Sequence, residues 1–143
     1  HLEVLQWARE NGCPWGETTC EMAAAGGHLE MLKWVRENGC PWDWATFSMA
    51  ALGGHLETLK WARANGCEWN EWACAHAALG GHLEVLKWLR ENGCPWDGST
   101  LEYAKVKYHY QVERWAKENG CPTERKRRRS DSDRDNDSGS DRS

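Results

Sequence analysis

Residues 28–54 read HLEMLKWVRENGCPWDWATFSMAALGG, and units of the same 27-residue length recur along the chain. The histidine that opens each unit recurs at that interval, as His1, His28, His55, His82 and His109. The register is shared by the Trp7 series and by the Asn-Gly-Cys triplets, which begin at Asn11, Asn38, Asn65, Asn92 and Asn119. A fixed period of this size is typical of repeat proteins, in which each copy packs on its neighbours.

The first part of the unit has the pattern of an amphipathic helix. In residues 28–38, Met31, Leu32 and Val35 fall on one face at helical spacing, while the charged residues point mostly outward. The helix is predicted to stop at Gly39, because glycine tolerates the left-handed conformation that follows many helices. Pro41 then prevents the helix from continuing.

A shorter element rich in small residues completes the unit. It follows the Pro-Trp step and is predicted to begin after Asp43, Asn70 or Asp97, whose side chains can accept from the free backbone N–H groups of a first turn. It ends at a Gly-Gly turn such as Gly53-Gly54. Helices this short are marginal in isolation, so stacking of the copies must supply the stability.

The segment Ala50-Ala51-Leu52-Gly53-Gly54-His55-Leu56-Glu57 resembles the ankyrin repeat, and the resemblance extends over residues 1–122. Ankyrin repeats have about 33 residues. The residues missing here fall between the second helix of one copy and the first helix of the next, where the family has its hairpin. The family's Thr-Pro-Leu-His start is eroded, for example to Thr18-Thr-Cys-Glu21. We therefore expect an all-α, ankyrin-like helical repeat solenoid with reduced hairpin loops.

The two ends differ from the middle of the array. In residues 98–122, Lys105-Val-Lys107-Tyr108 replaces the Ala-Leu-Gly-Gly turn, which predicts a C-terminal cap. Residues 123–143 lack aliphatic and aromatic side chains and are predicted to be a disordered tail. Because His1 begins halfway through a unit, we expect further repeats upstream.

Composition restricts the possible functions. Residues 1–123 contain sixteen acidic and eleven basic side chains, which argues against binding of phosphate backbones by the folded part. No apolar run approaches the length of a membrane span, and no signal segment opens the chain. The sequence therefore predicts a cytoplasmic or nuclear protein that does not act at a membrane.

The repeated cysteines, histidines and tryptophans are predicted to be structural. Cys13, Cys40, Cys67, Cys94 and Cys121 each follow a helix exit, and stacked helices lie too far apart for disulfides between them, so we expect buried small apolar residues. Cys67 and Cys74, with His76 nearby, form the one grouping that suggests a metal, but their spacing matches no zinc pattern.

The five equivalent histidines suggest a turn-stabilising hydrogen bond rather than catalysis, since an enzyme needs one distinctive constellation. One series of tryptophans is predicted to be core: Trp7, Trp34, Trp61, Trp88 and Trp115. The series after the turn is predicted to cover the helix ends: Trp15, Trp42, Trp69 and Trp96. We expect no enzyme activity, no cofactor and no metal.

Positions that differ between copies are better candidates for function, because stacking does not dictate them. By resemblance to ankyrin proteins, the first-helix side forms the concave binding surface. Aromatic side chains often anchor interfaces, and the carboxylates would favour a partner that is basic and partly apolar. The alternative is that the aromatics merely pack. The predicted partner-binding residues are Glu17, Glu21, Trp44, Ser48, Glu71, Trp72, His76, Glu102 and Tyr103.

The tail suggests a separate role. Its basic run, Arg125, Lys126, Arg127, Arg128 and Arg129, fits a nuclear-import signal or a nucleic-acid patch. Three serines among aspartates are candidate phosphorylation sites that could mask this run: Ser130, Ser132 and Ser138. The alternative is a solvated tail without such a role.

Two functions follow from these patterns. The first is a monomeric protein–protein interaction scaffold that binds a partner on its concave first-helix face. The second is a nuclear or nucleic-acid-associated protein that acts through its basic C-terminal tail, and steep weakening by salt would distinguish it from the first.

Overall fold

A computed structural model describes Glu3 and residues 17–123 of the chain. Residues 17–123 contain eight helices and no strand, which confirms the all-α prediction. The helices are α1 (Glu17–Ala25), α2 (Leu29–Glu37), α3 (Trp44–Gly53), α4 (Leu56–Ala64), α5 (Glu71–Leu79), α6 (Leu83–Glu91), α7 (Gly98–Val106) and α8 (Tyr110–Glu118).

Two neighbouring helices make one repeat, and the repeats stack in chain order. We call α1, α3, α5 and α7 the first helices and α2, α4, α6 and α8 the second helices. Each first helix packs on the second helix of its own repeat and, more extensively, on the first helix of the next repeat. Alanines at these contacts, such as Ala50, Ala51, Ala77 and Ala78, are fully buried and let the first helices approach closely.

Helices α3, α5 and α7 begin as the sequence predicted. The side chains of Asp43, Asn70 and Asp97 each accept a hydrogen bond of 2.9 Å from a backbone N–H two residues ahead. Each cap residue has an extended backbone, as an N-cap requires. The cap satisfies one of the donors that a helix start leaves free.

The Asn-Gly-Cys triplet forms the end of each second helix. The Asn38 side chain donates to the Trp34 carbonyl at 2.9 Å, and Gly39 has a left-handed φ of 88°. The backbone N–H of Cys40 then donates to Val35 at 2.9 Å, which completes a Schellman motif. The same bonds recur after α4, α6 and α8, so the predicted glycine stop is confirmed.

The repeated histidines connect adjacent repeats. His82 Nε2 lies 3.0 Å from the carbonyl oxygen of Leu52 in the preceding repeat, and His55 and His109 make the equivalent contacts. Gly54, with a φ of 75°, lies directly against the His82 ring. The predicted histidine hydrogen bond is therefore present, and it links two repeats rather than bracing one turn.

The last repeat is polar at the face where another first helix would pack. Glu102 and Lys105 are exposed on α7, whereas the equivalent Ala75 and Ala78 on α5 are buried. This pattern supports the predicted cap, although the boundaries of the cap and of the tail stay predictions. In the part of the chain that the structure describes, no helix is long and apolar enough to cross a bilayer.

Candidate functional site

The first helices leave one stripe of side chains accessible. Their fourth and seventh positions face the core and are buried throughout, whereas the sixth position remains at least partly exposed in all four helices. We call the accessible stripe the first-helix face. In the described repeats it includes Thr18, Met22, Ala45, Met49, Trp72, His76 and Tyr103.

An aromatic cluster lies near the end of this face. The ring centroid of Trp72 lies 5.9 Å from that of His76 and 6.1 Å from that of Tyr103, and the rings of His76 and Tyr103 are 6.4 Å apart. His76 Nδ1 also lies 2.8 Å from the Trp72 carbonyl oxygen, which fixes the orientation of its ring. Three of the predicted binding residues therefore meet across α5 and α7.

Trp44 is exposed but separate from this cluster. It is the first residue of α3 and is 39% exposed, and its ring contacts no other described ring. Met22 is 68% exposed, and Met49 is half-buried at the equivalent position of α3. The 27-residue register identifies the two methionines as positions that vary between copies, although they are not among the nine predicted partner-binding residues.

Ser48 is a correction to the predicted site. It is only 1% exposed, and its Oγ has no hydrogen-bond partner among residues 17–123. The fifth position of a first helix lies in the contact between first helices, where the next repeat has the fully buried Ala75. Ser48 therefore cannot contact a partner in this conformation.

Acidic residues dominate the charge of the first helices. Glu21 and Glu71 are half-buried and Glu102 is exposed, while the side chain of Glu17 lies outside the description. The sequences of the four first helices contain a single lysine, Lys105, and no arginine. The surface around the aromatic cluster thus carries negative charge.

The tryptophans after the turns form a different surface, which we call the tryptophan edge. Arg63 stacks over the Trp69 ring at 3.9 Å, and Trp69 contacts Trp88 edge-on at 6.4 Å. Arg63 also donates to the Cys67 carbonyl at 2.8 Å. Equivalent stacks are formed by Arg36 with Trp42 and by Arg90 with Trp96.

This arrangement supports the prediction that Trp42, Trp69 and Trp96 cover the helix ends. The tryptophans equivalent to Trp7 are only partly buried against the core, so the prediction that they are core residues holds in part. These tryptophans are also part of the tryptophan edge. The ring centroid of Trp61, for example, lies 5.6 Å from that of Trp42.

The six cysteines within residues 17–123 are buried and are poorly disposed to act as nucleophiles. Burial raises the pKa of Cys67 to about 12 and that of Cys121 to about 11. The pKa of Cys20 is raised further, by burial and by a hydrogen bond with Cys40. The reactive form of cysteine is the thiolate, which these surroundings disfavour.

The suspected metal-binding group does not assemble. Cys67 Sγ lies 3.4 Å from the Asp43 carbonyl oxygen, whereas Cys74 is hydrogen-bonded to Cys94. Across the described residues, no group of three or more His, Cys, Asp or Glu side chains could hold a metal ion.

The predicted tail sites lie outside the described residues, and the structure therefore does not address them. These are the basic run Arg125, Lys126, Arg127, Arg128 and Arg129 and the serines Ser130, Ser132 and Ser138.

Comparison with known proteins agrees with this architecture. Residues 47–90, which span the stacked helices α3 to α6, match the family model described as ankyrin repeats in many copies. No curated protein matches the chain. The resemblance to ankyrin repeats predicted from the sequence is thereby confirmed over these residues. Ankyrin repeats generally mediate protein–protein interaction, and proteins built from them are typically non-enzymatic scaffolds.

Proposed function

We propose that this protein is a monomeric, non-enzymatic interaction module that binds a basic, partly apolar segment of a partner protein on its first-helix face. The aromatic cluster of Trp72, His76 and Tyr103 is the observation that carries the proposal. Its rings come from two different repeats, so the stack itself builds the cluster. Tryptophan and tyrosine are enriched among the residues that dominate binding energy.

The surroundings of the cluster define the chemistry of the partner. Glu71 and Glu102 lie on the same two helices as the cluster, which favours lysine or arginine in the bound segment. The exposed Met22 and the half-buried Met49 continue the face with flexible apolar side chains, which adapt to irregular partner surfaces. An extended basic and apolar peptide would contact both features.

The test uses the full chain and short synthetic peptides of two compositions. One set combines lysine or arginine with leucine or phenylalanine, and the matched set replaces each basic residue by glutamate. Fluorescence anisotropy is expected to show binding to the basic set. Trp72→Ala combined with Tyr103→Ala should weaken that binding by about thirtyfold or more, the loss expected for interface anchors.

The matched control combines Tyr108→Ala with Tyr110→Ala. These two tyrosines are also exposed, at 71% and 69%, but Tyr108 lies in the turn before α8 and Tyr110 is the first residue of α8, so neither is on the first-helix face. The control should bind as the parent chain does. Equal weakening by both double variants, with unchanged circular dichroism, would contradict the assignment of binding to the first-helix face.

The second candidate places the function in the tail. It rests on the basic run at residues 125–129, and it also bears on whether the protein is nuclear or cytoplasmic. Replacing these five residues by glutamine in the full chain should abolish nuclear accumulation and any salt-sensitive binding of single-stranded RNA if the tail acts in this way. Peptide binding by the first-helix face should not change.

A further inference from the structure

Two pairs of cysteines from different sequence series meet inside the array. Cys20 on α1 and Cys40 after α2 are fully buried, and their Sγ atoms are 3.2 Å apart. Two repeats further along, Cys74 on α5 is hydrogen-bonded to the side chain of Cys94 after α6. In both pairs the two thiols are separated by the same number of residues and belong to one repeat.

The fold explains why these sulfur atoms meet. The Schellman motif after each second helix turns its cysteine inward, beneath the first helix of the same repeat. The residue at the fourth position of that first helix then faces it. Cys20 and Cys74 occupy this position in two repeats, whereas Phe47 and Leu101 occupy it in the other two.

The two repeats without a cysteine at that position provide an internal comparison. Cys67 Sγ and Cys121 Sγ lie 3.4 Å and 3.5 Å from the backbone carbonyls of Asp43 and Asp97. Cys67 is as fully buried as Cys40 and Cys94, and Cys121 is only 7% exposed, but neither has a partner thiol within its repeat. Pairing therefore depends on one first-helix position rather than on burial alone.

We propose that Cys20–Cys40 and Cys74–Cys94 are oxidative modification sites, each forming a disulfide within one repeat when the protein meets hydrogen peroxide. A peroxide molecule first converts one thiolate of a pair to a sulfenic acid and releases hydroxide. The sulfur of the second cysteine displaces water from that sulfenic acid, and an S–S bond forms. Each pair loses two protons and two electrons, and the peroxide is reduced to two waters.

The folded state favours this pairing but slows its first step. A disulfide requires an S–S distance of about 2.05 Å, so the Cys20 and Cys40 sulfur atoms need to approach by roughly 1.2 Å. Peroxide reaches the buried thiols when a repeat opens locally, and reclosing brings the correct two sulfur atoms together. The bond ties the two helices of the repeat to each other.

The test begins with the reduced full chain, which is exposed to hydrogen peroxide and then alkylated in denaturant. Cleavage after glutamate places Cys13, Cys20, Cys40, Cys67, Cys74 and Cys94 in separate peptides. Mass spectrometry is expected to show residues 18–21 linked to residues 38–57, and residues 72–84 linked to residues 92–102. Three of the seven cysteines, Cys13, Cys67 and Cys121, should remain alkylated.

Two variants separate pairing from general oxidation. Cys20→Ala should remove the first link and leave the second, whereas Leu101→Cys should create a new link to Cys121 that the parent chain lacks. Links that involve Cys67 or Cys121 as often as Cys40 or Cys94 in the parent chain would overturn the proposal. The proposal would also be overturned if all thiols of the folded chain could still be alkylated after a peroxide treatment that oxidises the thiols of the urea-unfolded chain.

Oxidation should also increase the stability of the chain against urea. The urea midpoint of the oxidised parent chain should exceed that of the reduced chain, because each disulfide restricts the unfolded state. The double variant Cys20→Ala/Cys74→Ala should show no difference between the two treatments. A difference of the same size in that variant would show that another modification causes the shift.

Discussion

The tryptophan edge and the first-helix face are built from the same 27-residue unit, yet they differ in how their residues vary. At the edge, each of three successive repeats has an arginine stacked on a tryptophan at 3.9–4.4 Å. On the face, the sixth helix position is Met22, Met49, His76 or Tyr103. The residues of the tryptophan edge are therefore the same in successive repeats, whereas those of the first-helix face differ from repeat to repeat.

The difference follows from what each surface contacts. The Trp42 and Trp69 rings lie against the next repeat, so a change in one copy would disturb its neighbour. Sixth-position side chains project from the stack, and packing does not prescribe them. We therefore expect copied positions to control stability and varied positions to control binding, and the following predictions test that division.

The largest effect is expected in the copied core. Leu59 is fully buried on α4, with Leu32 and Leu86 at the equivalent positions of the neighbouring second helices. Leu59→Ala should lower the free energy of unfolding by about 2–5 kcal/mol, through lost burial and the cavity that remains. Urea denaturation measures this loss. If Leu59→Ala lost less unfolding free energy than Met22→Ala, copied positions would not be the ones that control stability.

A smaller loss of unfolding free energy is expected at Gly54, where the backbone of one repeat contacts the histidine of the next repeat. Gly54→Ala combines a left-handed φ of 75° with a Cβ that would lie 2.5 Å from the His82 ring. The matched control is Gly66→Ala, with a φ of 89° and no atom within 4 Å of its Cβ. The control should cost about 1–2 kcal/mol for the left-handed backbone alone. Gly54→Ala should cost measurably more in the same urea experiment, and equal costs would show that the contact with His82 is unimportant.

The tryptophan edge itself should respond more weakly. Arg63→Ala removes the stack on Trp69 and the bond to the Cys67 carbonyl, and about 1–2 kcal/mol should be lost. Lys60→Ala is the control on the same helix, because its exposed 3.7 Å ion pair with Glu57 contributes little. If thermal unfolding shows the same shift for both variants, the arginine stack is not a stabilising contact.

The helix boundaries could be predicted from the sequence because they depend on local chemistry. Asp43 caps its own helix, and Gly39 ends the preceding one through bonds that span only a few residues. Likewise, the 27-residue register identified the residues that are equivalent in every copy. Periodicity of this kind requires no knowledge of how the helices are arranged in space.

The register could not show which residues from different positions of the 27-residue unit contact each other. Cys20 and Cys40 belong to different series, and the distance between stacked helices was applied only to Cys40 and its own equivalents, so the contact between Cys20 and Cys40 was not predicted. Ser48 was assigned to the face because it varies, although the contact with the next first helix buries it. The separation of Trp44 from the aromatic cluster likewise depends on the helix packing.

The smallest effect on stability, and the sharpest test of the division, is expected for Met22→Ala. Because Met22 is 68% exposed, removing its side chain should change the free energy of unfolding by no more than about 0.5 kcal/mol. The same change should weaken anisotropy binding of a basic, apolar peptide that spans the face, since the apolar contact on α1 is lost. If Met22→Ala is destabilised as much as Arg63→Ala, Met22 belongs to the positions that control stability. Unchanged stability with unchanged binding would confine the binding surface to the cluster of Trp72, His76 and Tyr103, because α1 would then contribute nothing to the bound segment.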